Sequence, residues 1–159
     1  MRDHTFRRIV TGRTEDGGAE VLADEQLRLD QYGIRRVWGS EGPPSLTSDG
    51  VIPDLPGWFP PPGGCRVTIF TVPPDGAAGG QGRPDGPAPW GHDDVHASDT
   101  VDVIYLTSGS AWIQHPDGTE VRLDAGDVIV QHGTMHAWAN HTDQWASGIA
   151  FVVGARSER

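Results

Sequence analysis

Histidine and aspartate side chains concentrate in two segments of the second half of the chain. Segment 92–109 contains His92, Asp94, His96 and Asp102, and segment 126–140 contains His136. Imidazole and carboxylate groups bind divalent metal ions, and they also accept and donate protons near neutral pH. The two segments therefore predict either a metal centre or an acid–base site.

The alternation of side chains along a β-strand indicates which of these groups share a face. Because successive side chains point to opposite faces, Asp102 lies on the same face as Ile104 and Leu106. His136 likewise shares a face with Trp138 and Asn140. A carboxylate on an apolar inner face is costly unless it is paired, protonated or bound to a metal. This pattern predicts a pocket that contains Asp102 and His136.

The second half of the chain has the pattern of short strands separated by turns. Strands are predicted at residues 65–72, 101–106, 111–115, 119–123, 128–131, 136–140 and 147–153. Turn signals recur every eight to twelve residues, which is typical of a β-sandwich or barrel. Gly109, Gly126 and Gly133 fit turns that need positive φ. We therefore expect an all-β fold.

The first half of the chain is less regular. Residues 6–11 predict a strand, and residues 19–38 predict two edge strands, with a short helix near 24–30 as the alternative. Prolines and glycines make 39–64 and 73–91 loops. We expect residues 1–64 to form an N-terminal arm with loops that packs on a barrel of residues 65–156, the whole being one domain.

Composition excludes several classes of partner. The 159 residues include 22 Asp and Glu but only 12 Lys and Arg, giving a formal charge of −10. An acidic surface repels nucleic acids and anionic membranes. No apolar run is long enough to span a bilayer, and no signal segment is recognisable. With Cys65 as the single cysteine, these features favour a cytoplasmic protein.

The two segments resemble the two motifs of the cupin superfamily. His96 and Asp102, with six residues between Asp102 and Gly109, match the histidine, acidic residue and glycine of the first motif. The second motif is matched by Gly126-Asp127, Gly133, His136 and Asn140. Segments 8–12, 96–102 and 126–138 are similar to a subgroup of small bacterial cupins. The resemblance implies a double-stranded β-helix, which is a jelly-roll barrel with an N-terminal arm.

Departures from the family pattern affect the ligand set. Asp94 stands where many cupins have a first histidine, Asp102 replaces a glutamate, and Gln131 replaces a proline. The metal site implied by the resemblance is Asp94, His96, Asp102 and His136. Two histidines with a carboxylate suit Fe, Mn, Ni or Zn. A metal-free site is a serious alternative.

The remaining pocket residues are expected around this group. Strand alternation predicts Trp138 and Ile104 in the pocket wall. The second motif adds Asn140 and Gln131, and His92 is added because it lies four residues before His96. Tyr105, on the outer face, suits the homodimer surface that the resemblance implies. We expect the pocket to take a small organic molecule.

Three kinds of function fit these features. The first is a lyase or isomerase, such as a dehydratase or decarboxylase of a biosynthetic or catabolic pathway. There His96 or His136 moves a proton and Asp102 fixes its tautomer. The second is a metal-dependent dioxygenase that uses the four-ligand site. The third is a barrel that binds a small ligand without transforming it. The incomplete ligand set favours the first.

Overall fold

The protein is described by a computed structural model that covers residues 5–77 and 95–156. Within these ranges the chain forms strands and no helix. The strands are β1 (Thr5–Arg13), β2 (Ala19–Arg28), β3 (Ile34–Ser40), β4 (Cys65–Val72), β5 (Thr100–Ser108), β6 (Ser110–Gln114), β7 (Glu120–Asp124), β8 (Val128–His132), β9 (Ala137–Ala139) and β10 (Ala146–Gly154). The predicted all-β class is confirmed.

The described strands form three sheets, and every pairing is antiparallel. Five strands lie in the order β3-β4-β10-β5-β8, three in the order β7-β6-β9, and β1 pairs with β2 as a separate hairpin. Neighbours in the large sheet are mostly distant in sequence, as in a double-stranded β-helix. β3 belongs to the segment assigned to the arm, and it forms one edge of this sheet.

Strands β2 and β3 show why the helix considered near residues 24–30 is wrong. β2 continues to Arg28, and the chain then turns at Asp30. The Asp30 carboxylate accepts hydrogen bonds from the backbone amides of Tyr32 and Ile34, at 2.9 and 3.1 Å. Gly33 adopts a φ of 77°, which an L-residue rarely tolerates. An aspartate that binds nearby amides in this way favours a turn over a helix.

The predicted turn glycines all have positive φ, at 72° for Gly109, 101° for Gly126 and 60° for Gly133. Gly109 is also constrained by space, because a Cβ atom there would lie 2.7 Å from the carbonyl oxygen of Trp145. This turn joins β5 to β6 and so carries the chain from the large sheet to the small one.

The core lies between the five-stranded and three-stranded sheets. Val72 and Leu106 of the large sheet pack with Ile113 and Leu123 of the small sheet. A second buried cluster contains Ile104, Ala150 and Val152. Phe70, Ile129 and Trp138 pack against both clusters. The Trp138 side chain therefore lies where the core meets the pocket described below.

Burial along β5 confirms the alternation expected for this strand. Asp102, Ile104 and Leu106 are 7%, 5% and 0% exposed, whereas Tyr105 is 42% exposed. The carboxylate of Asp102 is therefore on the apolar inner face. Among the residues of known placement, no helix is long and apolar enough to cross a membrane.

Candidate functional site

A pocket opens between the large sheet and the loops at one end of the barrel. Its empty space is about 750 Å³ when the open solvent at its mouth is included. Strands β4, β5 and β10 contribute Thr68, Phe70, Thr71, Val72, Asp102, Ile104, Ala150 and Val152, and the remaining walls are Tyr32, Gly33, Ile34, Trp58, Phe59, His96, His136 and Trp138. A mainly apolar lining with a few polar groups is typical of sites for small organic ligands.

Backbone pairing brings the two predicted histidines together. His96 and His136 form an isolated antiparallel bridge, in which the amide of each donates to the carbonyl of the other at 2.9 Å. Their ring centroids are 4.6 Å apart and the rings are tilted by 51°. The ring of Phe59 lies on the other side, with its centroid 6.2 Å from that of His96. The two sequence motifs therefore meet at this bridge.

His136 is held in one tautomer by the backbone. Its Nδ1 atom lies 2.8 Å from the carbonyl oxygen of Thr134. Because a carbonyl can only accept, Nδ1 carries the proton and Nε2 keeps its lone pair when the ring is neutral. Thr134, rather than Asp102 as expected, therefore fixes this tautomer. Burial lowers the pKa of His136, and the nearby His96 lowers it further despite the hydrogen bond to Thr134 and the charge of Asp102.

Asp102 is a buried carboxyl group with an unused oxygen. Its Oδ1 atom is buried and has no hydrogen-bond partner among the described residues. Burial raises the pKa of Asp102, although the Thr100 hydroxyl, His136 and His96 act in the opposite direction. The protonated form is therefore favoured more than in an exposed aspartate. A buried group with an unsatisfied atom in a cavity indicates a position for a ligand atom or a proton to be transferred.

Two residues of the second motif are buried beside the pocket but do not line it. Asn140 is fully buried and donates to the carbonyls of Val72 and Gln144, at 3.0 and 2.8 Å. These bonds tie the end of β4 to the loop before β10, which is a structural role. Gln131 lies opposite Asp102 in the pairing of β5 with β8. Gln131 is 3% exposed, and its Nε2 atom has no partner in the described part of the chain.

The N-terminal half supplies part of the pocket that sequence reasoning missed. Tyr32, Trp58 and Phe59 line it, although 39–64 was predicted only as loop. The available signal was a Trp-Phe pair in a proline-rich segment, since two large apolar side chains in such a loop need a surface to cover. Which surface they cover depends on long-range packing, and this could not be predicted from the local sequence.

The metal site implied by the resemblance includes Asp94, which lies outside the described residues, as does the predicted pocket residue His92. Two imidazoles and a carboxylate are suitable donors for a divalent metal. Within residues 5–77 and 95–156, however, no group of three or more His, Cys, Asp or Glu side chains could hold a metal ion. His96, Asp102 and His136 therefore do not form a metal site in this arrangement. The chemistry open to them is proton transfer by their own side chains.

Comparison with known proteins places the chain in a family. A family model described as Cupin matches residues 80–158, which contain most of both motifs. The sheets described above have the architecture expected of this family. The chain therefore belongs to the cupin superfamily, and its fold is the double-stranded β-helix. The search of curated proteins found no match.

Several solved structures are similar to this one. A Cupin 2 conserved barrel domain protein from Salinispora arenicola is 20% identical, with 80% of each chain covered and a TM-score of 0.44. A sugar phosphate isomerase of the cupin superfamily from Silicibacter pomeroyi is 15% identical, covering 58% of this chain and 51% of that one, with a TM-score of 0.40. The polyketide cyclase RemF from Streptomyces resistomycificus is 21% identical, covering 55% and 53%, with a TM-score of 0.41. None of these similarities assigns an activity to this chain.

Proposed function

We propose that the protein is a lyase or isomerase, of the dehydratase or decarboxylase kind, that moves a proton on a small organic molecule bound in the barrel. One observation carries this proposal. The Thr134 carbonyl holds the Nδ1–H of His136 at 2.8 Å, and this leaves Nε2 as a base on a side chain that lines the pocket. Burial keeps the ring neutral and therefore able to accept a proton.

Asp102 supplies the complementary acid in this proposal. Its raised pKa favours the protonated carboxyl group, and its unpartnered Oδ1 is available to a substrate oxygen. In a dehydration, His136 takes a proton from carbon while Asp102 gives one to the departing hydroxyl group. The proton on His136 then returns to Asp102, so that protons balance over the cycle. In an isomerisation, the same pair forms an enol and returns the proton to a different carbon.

The environment of the pair supports this chemistry. Phe70, Ile104, Trp138 and Val152 are among the pocket walls, so the reacting groups stand in a mainly apolar space. A site of low polarity strengthens hydrogen bonds to a developing oxyanion and shifts paired acid and base groups towards neutral forms. His96, whose ring is 4.6 Å from that of His136, would contact the same substrate.

The test is proton exchange and water loss with two simple probes. β-Tetralone has exchangeable protons next to its carbonyl group, and deuterium uptake from D2O is followed by NMR. The aldol adduct of acetone and benzaldehyde loses water to give a conjugated enone, which is followed by ultraviolet absorbance. We expect the protein to accelerate at least one reaction, and His136→Asn to reduce that rate by about 10² or more.

The asparagine is chosen because its amide can still donate to the Thr134 carbonyl while lacking the ring base. His132→Gln is the matched control, since His132 is exposed on β8 and does not line the pocket. The control should keep the wild-type rate. Equal rates for His136→Asn and wild type would show that His136 is not the base and would contradict the proposed mechanism.

The metal-dependent dioxygenase is the rival, and elemental analysis separates the two. Protein purified without chelator should contain metal well below one equivalent under the proposed mechanism. One equivalent of Fe, Mn, Ni or Zn that disappears in His136→Asn would instead establish His136 as a ligand. A wild-type protein that binds the probes but accelerates neither reaction would favour a barrel that binds a small ligand without transforming it.

A further inference from the structure

Aromatic side chains from four separate segments surround the reactive groups. Tyr32 precedes β3, Trp58 and Phe59 belong to the loop before β4, Phe70 lies in β4, and Trp138 lies in β9. The rings of Phe70 and Trp138 are 5.4 Å apart and tilted by 51°. Side chains so distant in sequence converge only because the fold gathers them. Flat, apolar walls of this kind favour flat, apolar ligands.

Two arginines hold the Trp58–Phe59 part of this wall in place. Arg36 donates to the carbonyls of Leu55, at 2.9 Å, and Gly57, and its guanidinium group lies 5.8 Å from the ring of Trp58. Arg66, which is fully buried, donates to the carbonyl of Pro56 at 3.1 Å. Three consecutive carbonyl groups are therefore fixed immediately before the aromatic pair. The wall is a built feature of the fold.

The described pocket lining contains no lysine or arginine to receive an anionic ligand, and His96 and His136 are its basic side chains. The chain has no lysine, and no arginine of the described ranges lines the pocket. Asp102 lines the pocket instead. Its exposure is only 7%, and its Oδ1 atom has no hydrogen-bond partner among the described residues. An anionic group here would be desolvated with no permanently charged partner among the described residues, and it would meet a carboxyl group. These features disfavour phosphates and carboxylates.

We infer that the pocket takes an uncharged, planar, largely apolar ring compound, such as a phenol or an aryl ketone, with one polar group directed to Asp102. This rests on the proposed function and deepens it, because it names the substrate class of the same site. An uncharged substrate favours dehydration or isomerisation over decarboxylation, which requires a carboxylate. Trp58 is the residue that sets the preference for a planar ring, and Arg36 and Arg66 are positioning residues that act through it.

The test compares three probes of similar size by isothermal titration calorimetry at pH 7. β-Naphthol is planar and neutral, β-naphthoate is planar and anionic, and β-decalol is saturated and neutral. We expect β-naphthoate to bind at least about tenfold more weakly than β-naphthol, because its charge is buried unpaired. We expect β-decalol to bind about three- to tenfold more weakly, because it loses the ring–ring contacts.

Variants locate the binding. Trp58→Ala should weaken β-naphthol by about threefold or more and leave β-decalol less affected. Trp112→Ala is the control, since Trp112 packs against His141 on the small sheet, with ring centroids 4.7 Å apart, and does not line the pocket. The inference is overturned if β-naphthoate or β-decalol binds as tightly as β-naphthol, if Trp58→Ala changes nothing, or if no probe binds.

Binding is measured without turnover, so this result is separable from the proton-transfer test. Selective binding of β-naphthol with no acceleration of either reaction would support the inferred ligand class and contradict the proposed enzyme activity. Acceleration that depends on His136, without the binding preference, would support the enzyme activity and contradict the ligand class.

Discussion

At the scale of single residues, His136 and Asp102 occupy one pocket, and burial favours the uncharged form of both. Burial lowers the pKa of the histidine and raises the pKa of the aspartate. Burial therefore moves the pKa values of this acid and this base towards each other, which favours proton exchange with a substrate. The apolar residues Ile104 and Trp138 create this environment, since they line the same walls.

The pH dependence of the protein's stability should reflect the ionisation of Asp102. Its pKa in the folded state is raised above 3.8, the ordinary value for an aspartate. Its stabilising contribution is therefore complete below about that pH and is lost as the pH rises through the folded-state pKa. We expect the free energy of unfolding of the wild type, relative to Asp102→Asn, to fall between pH 4 and the raised pKa. Each unit of pKa difference corresponds to about 1.4 kcal/mol.

Urea denaturation of the wild type and of Asp102→Asn across this pH range measures the difference between their free energies of unfolding. The other carboxyl groups are present in both proteins, so their contributions cancel in this difference. A gap between the two proteins that stays constant with pH would contradict the raised pKa of Asp102.

At the scale of elements, Arg66 joins the loop after β3 to the start of β4. It donates to the carbonyls of Ser40, Cys65 and Pro56, at 2.8, 3.0 and 3.1 Å, and it pairs with Glu41. The guanidinium group is fully buried, whereas the Glu41 side chain is 44% exposed. The loop is long and rich in proline, so these bonds replace the sheet pairing that it lacks.

Arg66→Met should therefore cost about 3 kcal/mol, because three carbonyls lose a charged donor that is itself fully buried. Chemical denaturation measures this loss. Arg122→Met is the control: Arg122 pairs with Asp124 at 2.8 Å on the surface, with side chains 57% and 54% exposed. An exposed pair of this kind contributes under about 1 kcal/mol. Equal losses in the two variants would show that Arg66 does not anchor the loop.

At the scale of the whole molecule, the outer face of the large sheet is apolar. Register places Val67, Phe151, Val103 and Val130 in one row across β4, β10, β5 and β8, and Ile69, Ile149, Tyr105 and Val128 in the next. Phe151 is 45% and Val130 52% exposed. These rows contain no acidic residue, although the chain carries a net charge of −10. Large exposed apolar patches commonly mark interaction sites.

We propose that two copies pair through this face, since it is where the repulsion between two acidic chains is least. Light scattering should give twice the monomer mass of 17.1 kDa for the wild type. Phe151→Asp should give the monomer, because it places a charge at the centre of the face. Val121→Asp, at an exposed position of β7, should leave the dimer unchanged. A monomeric wild type would contradict the proposal.

The sequence by itself determined the strands and the inner face of the barrel. Alternation along 101–106 predicted that Asp102, Ile104 and Leu106 point inwards, and turn residues marked the strand ends, because both signals are local properties of the backbone. The strand predicted at 65–72 is β4 without change. The resemblance to the cupin motifs implied that His96 and His136 share a site, and the structure brings them into one bridge.

Only the tertiary structure decided which distant residues complete the pocket. β3 pairs with β4 across a gap of 24 residues between Ser40 and Cys65, and this pairing brings Tyr32 and the Trp58–Phe59 pair to the site. The tautomer of His136 also depends on where the Thr134 carbonyl points, which residue types do not encode. Local pattern predicts the direction of a side chain within its own strand, whereas convergence of segments depends on long-range pairing and packing.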